Sequence, residues 1–187
     1  IINCARNERE MYEETRWRAL PTHVPSIVFN TRIENYKGEF EWDEVSTWDL
    51  FGGKRILLFS LPGAFTPTCS TYQLPNFEKM APELKSKYNL DDIYCVSVND
   101  SFVMNRWAKD NNLEHVKVIP DGSCEFTRGM DMAVNKDNLS FGERSWRYAC
   151  IAHNGFITNW FIEEGKEDNC EEDPYHFTDP SFIYSNA

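Results

Sequence analysis

The chemistry in this sequence concentrates in one stretch, Leu61 to Tyr72, which reads LPGAFTPTCSTY. Cys69 stands where a broken loop gives way to apolar residues at helical spacing. A cysteine in the first turn of a helix meets unpaired N–H groups and the positive end of the helix dipole, and both favour thiolate over thiol. An unperturbed thiol, with a pKa near ~8.5, is only a few per cent ionised at pH 7. This placement is how a chain makes sulfur nucleophilic. Thr66 lies three residues upstream, so its hydroxyl can turn toward the sulfur or toward something bound there. Pro62 and Pro67 stiffen the loop and withhold their own N–H groups, leaving the amides of Thr68 and Cys69 to point inward. Sulfur attack on a bound electrophile, with donors arranged around the shifting charge, is the chemistry that these residue types support.

Several elements must hold that stretch in place. The apolar run Ile56 to Phe59 predicts a buried strand ahead of it. Pro62, Gly63 and Pro67 break the loop, and Ser70 to Tyr88 predicts a helix kinked at Pro75. IYCVSV, Ile93 to Val98, reads as a second buried strand. Asp100 or Ser101 caps the helix after it, with Phe102, Val103 and Trp107 on its buried side. VKVIPDG predicts a short strand and turn, EFTRGMDM a helical turn or two, and SWRYACIAHNGFITNWFIEE two strands around Asn154-Gly155. Upstream, Val24 to Ile33 and the run from Glu39 predict two further strands, followed by a brief turn capped by Ser46 or Thr47. The tail from Glu163 to Asp173 reads as acidic and solvated, and DPSFIY as a last helical turn. Strand–helix–strand units ending in a hairpin predict an α/β fold with a mixed central sheet flanked by helices. We read residues 1–22 as an N-terminal extension and 23–187 as one domain.

Composition narrows the function classes. The chain has 187 residues, 41% hydrophobic and 14% aromatic, enough for one well-filled core. A net charge of -11 disfavours nucleic acid and anionic membranes as partners, and no apolar run is long enough to span a bilayer. The six cysteines (Cys4, Cys69, Cys95, Cys124, Cys150, Cys170) form no C-x-x-C pair and no zinc-spaced cluster with histidine. Cys95 and Cys150 sit in strand-like apolar runs and read as small buried hydrophobes. Reduced cysteines point to an intracellular protein, cytoplasmic, or organellar if a targeting segment precedes the first residue. FGGK is no phosphate loop, since the upstream glycine and following Ser/Thr are absent. No motif implies a metal, haem, flavin or nucleotide. Met130, Met132 and Trp107 read as core, and the four scattered histidines suggest no site.

PGAFTPTCS resembles the peroxiredoxin signature Pro-x-x-x-Thr-x-x-Cys. The fuller string is similar to the subfamily containing peroxiredoxin 5 and the peroxiredoxin half of bacterial peroxiredoxin–glutaredoxin fusions. SVND with FVMNRW after it, FTRGMDM around Gly129, and FGERSWRYACI are further matches, so the resemblance runs from roughly Val24 to Tyr184. In the last of these, Arg147 rather than Arg144 falls where the family places its catalytic arginine.

The resemblance implies a thioredoxin-like fold and a cofactor-free, thiol-dependent peroxidase. Hydrogen peroxide and small alkyl hydroperoxides would be reduced through a Cys69 sulfenic acid, with Arg147 and Thr66 contacting peroxide and Pro62 shielding the sulfur. The amide of Thr68 would bind substrate, and Phe65 and Phe141 would form the apolar wall. A homodimer through the active-site face is also implied. Recycling by glutathione and glutaredoxin is the expected route. Two alternatives stand beside it: Cys170 as an internal resolving cysteine served by thioredoxin, and a redox sensor or holdase that does not turn over. A thioredoxin-like disulfide reductase would need a second cysteine at residue 66, which is threonine.

Overall fold

The computed structural model describes residues 20–187. The expected N-terminal extension lies almost wholly outside the described residues. Within it the carbonyl of Thr22 accepts from the amide of Ile157, and just after it the amide of Val24 donates to Gly155 O.

Strand β1 (Val28–Glu34) and β2 (Phe40–Ser46) form an antiparallel hairpin, and α1 (Thr47–Phe51) follows. Ser46 caps α1 in a reciprocal capping box with Asp49. Next come β3 (Arg55–Ser60), the cysteine loop, and α2 (Leu74–Tyr88). β4 (Asp92–Ser97), α3 (Ser101–Asp110), β5 (Val116–Pro120) and α4 (Glu125–Gly129) continue the alternation. A small hairpin of β6 (Ala133–Asn135) and β7 (Glu143–Ser145), not anticipated from the sequence, precedes β8 (Tyr148–His153) and β9 (Phe156–Ile162). The chain closes on α5 (Pro180–Asn186). The main sheet has the order β5-β4-β3-β8-β9, with β3 parallel to β4 and antiparallel to β8. β8 and β9 turn on Asn154 and Gly155 at φ 51° and 80°, the double positive φ that makes Asn-Gly a tight-hairpin signal.

Side-chain alternation along the central strands divides the core into two faces. Leu57, Phe59, Ile93, Cys95, Ala149 and Ile151 meet α2 and α3. Ile56, Leu58, Tyr94, Val96, Cys150 and Ala152 meet Phe51, Phe126, Met130 and Trp146 on the other side. Phe59 and Phe77 stack with centroids 3.9 Å apart, fixing α2 across the strand that leads into the loop.

Three expectations need revision. α3 buries Ser101, Met104 and Trp107, not Phe102, because the inward stripe starts one residue earlier. Phe102 is instead exposed and packs edge-on against Trp42, with the Arg32 guanidinium over both rings. The tail is not uniformly solvated, since Glu163 and Cys170 are buried. Pro75 sits in the first turn of α2, and the backbone distortion precedes it as a π-type turn.

Glu78 ties α2 to β5 by accepting from the amides of Glu114, His115 and Val116. Burial pushes its carboxyl up, but these bonds outweigh burial and hold it below the ordinary glutamate value. A depressed acid stabilises the fold above its unfolded pKa and loses that contribution as pH falls through the folded one. We therefore expect Glu78→Gln to cost about 1–2 kcal/mol at neutral pH, by urea unfolding, with the difference shrinking once pH drops below the ordinary carboxylate range.

Candidate active site

The register of the sheet assembles the site. Ser60, the last residue of β3, faces Tyr148, the first of β8. Because these strands are antiparallel, the residue before β8 lies beside the loop after β3. That residue is Arg147. Helical conformation begins at Pro67, a favoured first-turn position for proline, and Ser70 N–H closes the first helical bond onto Thr66 O at 2.9 Å. The amides of Thr68 and Cys69 therefore fall in the first turn, where no intrahelical acceptor exists. Cys69 to Gln73 then widen into a π-type turn, with Leu74 N–H bonded to Cys69 O. Pro75 accounts for the widening, since it has no N–H and its ring would crowd the carbonyl of Thr71 in a regular helix.

Cys69 and Arg147 are both 1% exposed, and Nη1 of the guanidinium lies 3.3 Å from the sulfur. The same nitrogen donates to Oε1 of Gln73. Nε donates to the Pro174 carbonyl at 3.1 Å, and Nη2 to Asp173. Four of the five guanidinium donors are thus committed, leaving one hydrogen on Nη2 without a partner among the described residues. Burial pushes the arginine down, but the charges of Cys69 and Asp173 and their hydrogen bonds raise it above the ordinary value. The group stays cationic beside the sulfur.

A chain segment behind the guanidinium holds it there. The carboxylate of Glu163, 1% exposed, accepts from the amides of His176, Phe177 and Thr178 and from the Thr178 hydroxyl. This anchors the strand of chain that presents Asp173 and Pro174. The Tyr175 ring centroid lies 5.8 Å from the Arg147 guanidinium carbon.

The other expected residues, all but Phe141 on the loop itself, differ in exposure. Thr66 donates its hydroxyl hydrogen to Gly63 O at 2.7 Å, which leaves its oxygen lone pairs as acceptors. Pro62 is buried, and Thr68 is half-buried. The amide of Ala64 donates to Asn99 Oδ1 at 3.0 Å, which pins the loop to the end of β4. Phe65 is 51% exposed at φ 64°, with its ring 6.5 Å from Trp107, so it forms an outer rim rather than an inner wall. Phe141 is half-buried beneath the Arg144 guanidinium, 5.1 Å from its centroid.

Cys170 is not brought to Cys69: it packs in the cluster on the opposite face of the sheet. The five described cysteines are all unpaired. Burial pushes the thiols of Cys95 and Cys150 up, and burial with Glu143 and Asp121 pushes Cys124 up to about 12. Those three stay protonated at neutral pH. Gln73, Asn99, Glu163, Asp173 and Pro174 were not read from the sequence as site residues. Gln73 alone carried a local signal, four positions after Cys69 on one helical face.

Comparison with known proteins shows the family of the chain. The Redoxin family model matches residues 41–175. A peroxiredoxin of Rhizobium etli is 56% identical over 164 residues, covering 86% of this chain and 91% of the relative. The hybrid peroxiredoxin hyPrx5 of Haemophilus influenzae is 47% identical over 83% of this chain, which spans 61% of that longer protein. The crystal structure of the Plasmodium falciparum antioxidant protein, described as a 1-Cys peroxiredoxin, superposes with a TM-score of 0.80 at 36% identity, over 86% of this chain and 93% of that one. Among the described residues no helix is long and apolar enough to cross a membrane. With its mixed thioredoxin-like sheet and a buried cysteine–arginine pair at the strand-to-helix junction, the chain belongs to the Redoxin family as a peroxiredoxin, an enzyme of the thiol peroxidase class.

Proposed function

We propose that Cys69 is the nucleophile that reduces hydrogen peroxide and small alkyl hydroperoxides, and that an external thiol, glutathione with glutaredoxin, recycles it. The observation that carries this reading is the 3.3 Å contact between Arg147 Nη1 and the Cys69 sulfur, made where both groups are buried. The thiolate attacks one peroxide oxygen in line with the O–O bond. A sulfur–oxygen bond forms and the O–O bond breaks. The departing oxygen takes a proton and leaves as water or alcohol, and Cys69 becomes a sulfenic acid. The remaining Nη2 hydrogen and the Thr68 and Cys69 amides stabilise charge on the oxygens, while Thr66 accepts from the peroxide O–H. Pro62, buried at the start of the loop, keeps water from the sulfur.

External recycling is favoured by the position of Cys170 on the far side of the sheet and by likeness to a protein described as a 1-Cys peroxiredoxin. Residues 23–187 are taken as the catalytic unit. A homodimer through the active-site face fits the exposure of Phe65 and Tyr72, at 51% and 57%.

Steady-state peroxide consumption by wild type and Cys170→Ser, with either glutathione plus glutaredoxin or thioredoxin, tests the reductant. Equal turnover of both proteins with the glutathione system is expected. Turnover by thioredoxin alone, lost in Cys170→Ser, would overturn external recycling. A single oxidation with no turnover by either would favour a sensor or holdase.

A further inference from the structure

A second arginine flanks the same loop. Arg144 lies on β7 and is half-buried, with Nε donating to Phe141 O at 3.1 Å and Nη1 to Pro62 O at 3.3 Å. A carbon added at Gly63 would lie 2.6 Å from Arg144 Nη1 and 3.2 Å from Thr66 Cγ2, so the guanidinium and Thr66 flank the same glycine. Among the described residues no carboxylate lies within ion-pair distance of Arg144, whereas Arg106, Arg128 and Arg147 each have one. The adjacent Glu143 does not serve, because neighbours on a strand point to opposite sides and its carboxylate pairs with Arg128. Its contacts are two neutral carbonyls and the face of Phe141.

A partly buried cation carries a desolvation cost, and two neutral carbonyls and a ring face offset it less than a carboxylate would. Burial alone depresses its pKa. The chain carries a net charge of -11, yet none of the described carboxylates is placed here. Local departures of this kind are expected where a site must receive a ligand.

We propose that Arg144 is the binding residue for the carboxylate of a small anionic thiol that reduces oxidised Cys69. This rests on the peroxidase reading above and names the chemistry of its second substrate. The thiol's carboxylate sits on the outer edge of the guanidinium while its sulfur attacks the Cys69 sulfenic sulfur. An S–S bond forms, the S–O bond breaks, and the oxygen leaves as water. A second thiol then displaces Cys69 as a thiolate and departs as the oxidised disulfide. Carboxylate-bearing thiols are preferred over neutral ones for this reason.

The test follows re-reduction of sulfenic acid prepared beforehand with one equivalent of hydrogen peroxide, so changes in the peroxide step do not enter. The thiols are glutathione, 3-mercaptopropionate and neutral 2-mercaptoethanol. In wild type, rising salt is expected to slow the two anionic thiols and leave the neutral one unchanged. The net negative chain alone would produce the opposite sign, because screening its field admits anions. Arg144→Gln should lower the anionic-thiol rate about tenfold relative to 2-mercaptoethanol and invert the salt effect, with Arg144→Lys retaining most of the preference. An equal fall for charged and neutral thiols would mean that Arg144 only supports the loop, and the proposal fails. Wild-type acceleration by salt overturns it without any variant. Absence of sulfenic acid before thiol is added strikes the peroxidase reading itself and removes this one with it.

Discussion

Cys69→Ser is expected to reduce peroxide consumption to the uncatalysed background, a loss of at least about 10³-fold. A serine hydroxyl at this position is neutral at any physiological pH, and oxygen lacks the thiolate's nucleophilicity toward an O–O bond. The substitution removes little volume from a cluster that Leu74, Phe77 and Trp107 also fill, so the fold should persist. Retention of secondary structure by circular dichroism, with activity absent, is the expected pair of observations. Cys95→Ser and Cys150→Ser act through the core instead: both side chains are fully buried and their thiols are pushed up by burial. Activity lost in those variants should follow stability rather than chemistry. A Cys69→Ser protein with near wild-type turnover would remove the basis of the proposed mechanism.

The second large effect concerns Arg147. Removing the guanidinium in Arg147→Ala should raise the barrier for Cys69 oxidation by about 3 kcal/mol or more, roughly 10²- to 10³-fold in rate. Two contributions vanish together: the cation 3.3 Å from the sulfur and the uncommitted Nη2 donor. The loss also strands Gln73 Oε1 in the buried site, where its Nε2 already lacks a partner among the described residues, so a measurable fall in stability should accompany it. Asp173 suffers less, being half exposed. Arg147→Lys should recover only part of the rate. One ammonium cannot reach Cys69, Gln73, Asp173 and Pro174 at once, and it lacks the planar fork that sets their relative geometry. Stopped-flow fluorescence of Cys69 oxidation in the three proteins gives the comparison directly.

The parts of this molecule that were readable in the sequence are those fixed by local rules. The apolar run before the cysteine, the Asn154-Gly155 turn and the cap, which of Ser46 and Thr47 falls to Ser46, each act through near neighbours and have the expected conformation, whereas Pro67, read as a loop breaker, opens the helical conformation instead. The pairing of Arg147 with Cys69 followed from family resemblance; strand register supplies its physical cause. What escaped the sequence depends on contacts between distant segments. Glu163 looks like one more acid in an acidic tail, and only the folded chain shows three amides and a hydroxyl converging on it. Asp173 and Pro174 gain meaning because Glu163 fixes their segment against Arg147. Phe102 was assigned inward on periodicity, but one residue of phase puts Met104 inside and Phe102 on Trp42. Pro75 was read as a kink; its effect is absorbed by a widened turn that carries Cys69 itself.

The most direct test of the account is intact mass followed by peptide mapping after one equivalent of hydrogen peroxide, with dimedone present to trap sulfenic acid. One adduct per chain, located on Cys69 and absent from Cys69→Ser, is the predicted result. An adduct elsewhere, or no reaction while Cys69 remains a free thiol, would contradict the assignment of Cys69 as the peroxide-reactive residue.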